Sequence, residues 1–71
     1  MPSQRISILI NGELKEVPPN LSVMELLEWL GVASERVAVE MNRSIVRKRD
    51  WGEAVVAGGS HIEVVEFVGG G

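Results

Sequence analysis

An α+β domain, with a mixed sheet packed on one main helix, is the fold this sequence predicts, and three observations carry the prediction. Apolar residues alternate along residues 5–10, 37–41 and 61–67, which is the period of half-buried strands. Val23, Leu26, Leu27 and Leu30 recur at i, i+3, i+4 and i+7, the period of one amphipathic helix. Turn chemistry punctuates these runs at Asn11-Gly12, Pro18-Pro19, Gly31 and Gly58-Gly59. A single helix must bury its stripe against something, and a sheet curled around it is the economical arrangement.

The first strand places Ile6, Ile8 and Ile10 on one face. Asn-Gly accepts positive φ at both turn positions, as required by a two-residue hairpin whose twist suits the flanking strands. The partner strand is therefore residues 13–17, and Pro18-Pro19, which lack N–H donors, end its pairing. Ser22 opens the helix three residues before Glu25, the spacing of a reciprocal capping box, and Gly31 supplies a left-handed C-terminal cap. Trp29 lies off the centre of the apolar stripe and is expected to cover the edge of the core. Val37, Val39 and Met41 then alternate with Ala38, Glu40 and Asn42 as a strand with one buried face. Ile45-Val46 reads as a very short strand, and Trp51 as the anchor that ties the long connection 47–58 to the core. The last strand, residues 61–67, has Ile62 and Val64 on one face and Val65 and Phe67 on the other. With this order the first and last strands lie side by side and parallel, joined by right-handed crossovers. That is the β-grasp, or ubiquitin-like, plan over residues 1–68, followed by a flexible glycine tail at residues 69–71.

Composition excludes several function classes. A chain of 71 residues buries only about 60% of its unfolded surface, so a deep enzymatic pocket is not expected. There is no cysteine, hence no disulfide, thiolate nucleophile, zinc–thiolate site or side-chain persulfide. One histidine, His61, is too few for a histidine-built metal site. The opening Met-Pro-Ser-Gln-Arg lacks the basic stretch and apolar run of a signal peptide, and the apolar runs elsewhere are far too short to span a bilayer, so a cytoplasmic protein without membrane attachment is expected. A net charge of −3 argues against nonspecific nucleic-acid binding. Five of the seven basic residues, Arg36, Arg43, Arg47, Lys48 and Arg49, gather in one segment and read as a solvated surface rather than a phosphate site. The pairs Glu25/Glu28 and Glu63/Glu66 likewise read as surface charges, not as acid–base machinery.

The chain closes on E-F-V-G-G-G. Glycine loses more backbone freedom on ordering than any other residue, so a core gains nothing by ending on three of them. What they offer is an arm without Cβ atoms that enters a narrow channel and reaches about 10 Å when extended. The reactive group on that arm is the terminal carboxylate. It is a poor acyl donor because it is anionic and has no leaving group; adenylation by ATP makes it a mixed anhydride, from which a sulfur nucleophile displaces AMP to leave a thiocarboxylate. In a chain without cysteine, no other position carries sulfur covalently as an acyl-sulfur species. Gly71 is therefore expected to carry the chemistry, Gly69 and Gly70 to give access to a partner's active site, and Phe67 and Val68 to dock at its rim.

The segments I-L-I-N-G-E, S-V-M-E-L-L-E-W-L, V-A-V-E-M-N-R-S-I-V followed by Trp51, and I-E-V-V-E-F-V-G-G-G stand in an order and spacing that cover nearly the whole chain. In these the sequence resembles the ThiS family of sulfur carriers in thiamine thiazole biosynthesis. The resemblance implies a ubiquitin-like fold with no catalysis of its own and no bound cofactor. It implies that Gly71 is adenylated and converted to the thiocarboxylate, that Gly70 is its required neighbour, that Gly69 extends the arm, and that Val65, Phe67 and Val68 form the docking surface. Three partners are implied: a ThiF-like adenylating enzyme using ATP and magnesium, a cysteine-persulfide sulfur donor, and the thiazole synthase ThiG. Two positions depart from many relatives: Gly59-Ser60 stands in place of Gly-Asp, with the serine expected to make the same local side-chain bond more weakly, and Arg47 stands near a common proline. MoaD-like carriers of molybdopterin synthesis and carriers serving tRNA thiolation share fold and tail, although the Asn11-Gly12 hairpin and the V-A-V-E-M-N segment lean toward ThiS. A ubiquitin-like module that binds partners without using its terminus chemically is the alternative of another class.

Overall fold

Residues 4–67 are described by the computed structural model. The Asn-Gly pair makes the expected hairpin between β1 (Ile6–Ile10) and β2 (Glu13–Val17), with Asn11 at φ 50° and Gly12 at φ 83°. Its register runs from Ile6 opposite Val17 to Ile10 opposite Glu13. β3 (Val37–Met41), β4 (Ser44–Val46) and β5 (His61–Glu66) complete a five-stranded sheet in the order β2-β1-β5-β3-β4. β1 and β5 run parallel and β3 and β5 antiparallel, so the last strand sits at the centre of the sheet.

Helix α1 (Val23–Leu30) begins and ends where local chemistry places it. The Glu25 N–H donates to Ser22 Oγ at 3.1 Å and the Ser22 N–H to Glu25 Oε1 at 2.9 Å, the reciprocal box. Gly31, at φ 76°, donates back to the Glu28 and Leu27 carbonyls. The two remaining free donors of the first turn are met from far along the chain: Val23 N–H reaches the Ala54 carbonyl at 2.8 Å and Met24 N–H the Trp51 carbonyl at 3.1 Å. The connection after β4 therefore caps the helix as well as crossing the core. Trp51, 1% exposed, anchors it, and its indole Nε1 donates to the Val46 carbonyl at 2.9 Å.

Val23, Leu26 and Leu27 of α1 pack on Ile8, Val39 and Ile62 of the sheet, with Trp51 and Val56 closing one side. Four details differ from the sequence expectations. Trp29 remains 46% exposed and does not cover the core edge, because it lies about 110° around the helix from the middle of the apolar stripe. β4 starts at Ser44 and pairs with β3 through a second tight hairpin, in which Asn42 (φ 54°) and Arg43 (φ 72°) occupy the left-handed positions. β5 ends at Glu66 rather than Phe67. Ser60 is buried and works through its backbone: its N–H donates to Ala57 at 3.1 Å and its carbonyl accepts from Leu9 at 2.9 Å, while the expected hydroxyl bond is absent among the described residues.

Candidate functional site

β5 presents two faces with different chemistry. Ile62 and Val64 turn inward toward α1, whereas His61, Glu63 and Val65 turn outward to solvent. The strand pairings spread that outer face across the sheet: Leu14 opposite Leu9, Leu9 opposite His61, Glu63 opposite Glu40, Val65 opposite Ala38, and Ile45 opposite Glu40. Leu14, Ile45, Val65 and Phe67 are 72%, 71%, 55% and 56% exposed, so this face carries large apolar side chains that the fold itself leaves uncovered. Two carboxylates, Glu40 and Glu63, stand directly opposed in its middle. Of the residues expected to dock, Val65 and Phe67 thus lie exposed at the end of the central strand. Val68 and the arm residues Gly69, Gly70 and Gly71 fall outside the described residues, as does the expected boundary between domain and tail.

The end of β5 is held from both sides. Phe67 N–H donates to the Arg36 carbonyl at 2.7 Å, one step past the β3 ladder. On the other side the carboxamide of Asn11 grips Val64, with Oδ1 accepting from Val64 N–H at 2.8 Å and Nδ2 donating to the Val64 carbonyl at 3.3 Å. A second asparagine acts similarly at the start of the strand, where Asn42 Oδ1 accepts from His61 N–H at 2.9 Å. In the sequence Asn11 reads as a turn residue and Asn42 as a strand residue, and neither contact is foreseen; the signal available is an asparagine in each two-residue turn beside the last strand.

Elsewhere the surface offers little for chemistry. A groove of about 720 Å³, wide open to solvent, lies between the C-terminal end of α1 and the sheet, lined by Leu30, Val32, Val37, Val64, Lys15 and Glu66 among others. No group of three or more metal-ligating side chains occurs among the described residues. The basic residues 36–49 are solvent-exposed. Arg49 approaches Asp50 at 4.0 Å, with both side chains largely exposed, a pair worth little in water. Lys48 Nζ lies 5.8 Å from the centre of the Trp51 ring. No described helix is long and apolar enough to cross a membrane.

A mixed sheet wrapped on one helix, with parallel first and last strands and an uncovered apolar face on the strand that leads to the glycine arm, defines a ubiquitin-like β-grasp protein. The ThiS crystal structure from Geobacter metallireducens, a thiamine biosynthesis protein, superposes with a TM-score of 0.83 at 33% identity, covering 93% of this chain and all of that one. The ThiS family model matches residues 8–71, and the chain belongs to the ThiS family. It is also 41% identical over 66 residues to a thiazole synthase of Paramagnetospirillum magneticum, and 35% identical over the full length of both chains to the uncharacterized protein ycf40 of Porphyra purpurea. The match covers 93% of this chain and only 20% of the Paramagnetospirillum thiazole synthase.

Proposed function

We propose that this chain is a sulfur carrier of thiamine biosynthesis, a protein cosubstrate whose Gly71 carboxylate is the working group. The observation that carries this reading is the family match, which covers residues 8–71 and so takes in the arm together with the fold. In the first step a carboxylate oxygen of Gly71 attacks the α-phosphorus of ATP, and pyrophosphate leaves. In the second, the terminal sulfur of a cysteine persulfide attacks the acyl carbon, and AMP leaves. A thiol then cleaves the remaining S–S bond, forming a disulfide with the donor cysteine and leaving the thiocarboxylate on Gly71. Magnesium and ATP belong to the ThiF-like adenylating enzyme; this chain holds no cofactor or metal and catalyses nothing alone.

Gly69 and Gly70 thread the partner's channel, while Val65, Phe67 and Val68 dock beside its mouth. The exposure of Val65 and Phe67 supports that role, because large apolar groups left open on a sheet face gain most from a partner's cover. Similarity to one fifth of a protein named thiazole synthase supports a thiazole synthase of the ThiG type as the sulfur acceptor. This reading places the chain in the cytoplasm together with these enzymes.

The test is the intact mass of the protein, with and without Gly70 and Gly71, after incubation with ATP, magnesium, a ThiF-like enzyme and a persulfide donor. A shift equal to oxygen replaced by sulfur, confined to the full chain and located at Gly71, is the expected result. No shift, with an adenylating enzyme that modifies another ThiS protein in parallel, overturns the proposal and moves the chain to another carrier pathway or to a purely binding role.

A further inference from the structure

The strand that delivers the arm is unevenly supported. Toward β3 its ladder runs to the last residue, Val37 opposite Glu66, and the Phe67 bond to Arg36 adds one more step. Toward β1 the parallel register holds only Leu9 opposite His61 and Ile10 opposite Ile62, extended by the Asn11 N–H on the Ile62 carbonyl at 2.9 Å. There the first strand turns away into its hairpin, and the outward backbone groups of Val64 have no strand to meet. The Asn11 carboxamide stands in that place. It presents an acceptor and a donor in one plane, as a peptide unit does, and binds Val64 through both, at 2.8 and 3.3 Å. Asn11 can do so because its left-handed φ of 50° lets the main chain leave while the side chain stays beside β5.

We infer that Asn11 is a positioning residue for the terminal arm: by gripping Val64 on the side that β3 does not hold, it fixes where the end of β5 stands beside the docking residues Val65 and Phe67, and so the point from which the chain continues to Gly71. This role rests on the sulfur-carrier function proposed above, and Asn11 itself touches no reacting atom. From the Phe67 anchor, the four residues to Gly71 span at most about 14 Å. With so short a reach, a displacement of the end of β5 is a displacement of the point from which Gly71 must reach the reacting atoms. Misplacement of a reacting group by about 1 Å costs up to about a hundredfold in rate.

Asn11→Gly deletes the carboxamide yet suits the positive φ of the turn, so the hairpin is preserved. Asn11→Asp keeps the acceptor for Val64 N–H and sets an oxygen against the Val64 carbonyl. For each full-length variant the measurements are amide exchange at Val64 and Phe67 by NMR, the urea midpoint, and kcat and KM for adenylation by a ThiF-like enzyme. In Asn11→Gly, exchange at Val64 should rise about tenfold or more with the urea midpoint nearly unchanged, and kcat should fall about tenfold with KM within about twofold, because the docking face is intact. Asn11→Asp should fall between this variant and the parent chain. The role is overturned if Val64 exchange does not change, if it rises with kcat unaltered, if KM alone moves, or if the loss of kcat merely follows a fall in global stability. A parent chain that is not adenylated at all sinks the sulfur-carrier function and this role with it, while Val64 exchange still reports whether the grip exists.

Discussion

Trp51 offers the most direct test of how the connection after β4 supports the fold. Its indole is 1% exposed, its Nε1 donates to the Val46 carbonyl at 2.9 Å, and its own carbonyl accepts the Met24 N–H of the first helical turn. Trp51→Phe keeps a ring in the core but removes the donor and part of the volume. Losing a donor to a part-buried carbonyl costs about 1–2 kcal/mol, and the space left by the smaller ring adds about 1 kcal/mol more. The expected loss is therefore about 2–3 kcal/mol. A domain of this size has a total stability of about 4–10 kcal/mol, and each kcal/mol lowers Tm by about 4–8 °C, so the melt should fall by about 10–20 °C. Trp51→Ala, at about 3–5 kcal/mol, should leave the domain only marginally folded. Thermal melts and urea titrations followed by circular dichroism measure both. Because the residue lies away from the outer face of β5, adenylation of Trp51→Phe at a temperature where it stays folded should match the parent chain. A Trp51→Phe variant within about 0.5 kcal/mol of the parent would refute the assignment of Trp51 as the anchor of this connection.

Two further substitutions separate stability from recognition. Arg43→Gly relieves a non-glycine residue at φ 72° in the β3–β4 turn and should raise stability by about 0.5–1 kcal/mol, read as a higher urea midpoint at constant slope; an unchanged or lower midpoint would show that the turn is not strained. Val65→Asp and Phe67→Asp place charge on residues that are already more than half exposed, so each should change stability by less than about 0.5 kcal/mol while raising KM for adenylation about tenfold or more. Unaltered KM in both would remove the outer face of β5 as the docking surface.

Much of the architecture was legible where the deciding interactions are local. Ser22 and Glu25 sit three residues apart and bond reciprocally in the structure, Gly31 follows the last helical residue, and Asn11-Gly12 forms its turn, because each depends on backbone requirements within four residues. The parallel neighbours β1 and β5 followed from element order, since a mixed sheet around one helix leaves few topologies. The Asn42-Arg43 turn escaped notice because arginine is an unusual residue at positive φ, so the pair carried no glycine signal. Trp29 was misplaced because a residue on the flank of a helix stripe has no burial that periodicity alone determines.

By itself, the sequence determined the main strands and the helix, their order, the buried face of the first and third strands and the glycine arm, all consequences of periodicity, turn stereochemistry and chain connectivity. Only the tertiary structure decided which distant polar groups would complete one another. The donors at the start of α1 meet carbonyls of Trp51 and Ala54, and Asn11 meets Val64 across 53 residues of sequence. Such pairings depend on where the sheet brings backbone groups that local structure leaves unpaired. No periodicity encodes that, because an unpaired backbone group looks the same at every residue until the fold sets a partner beside it.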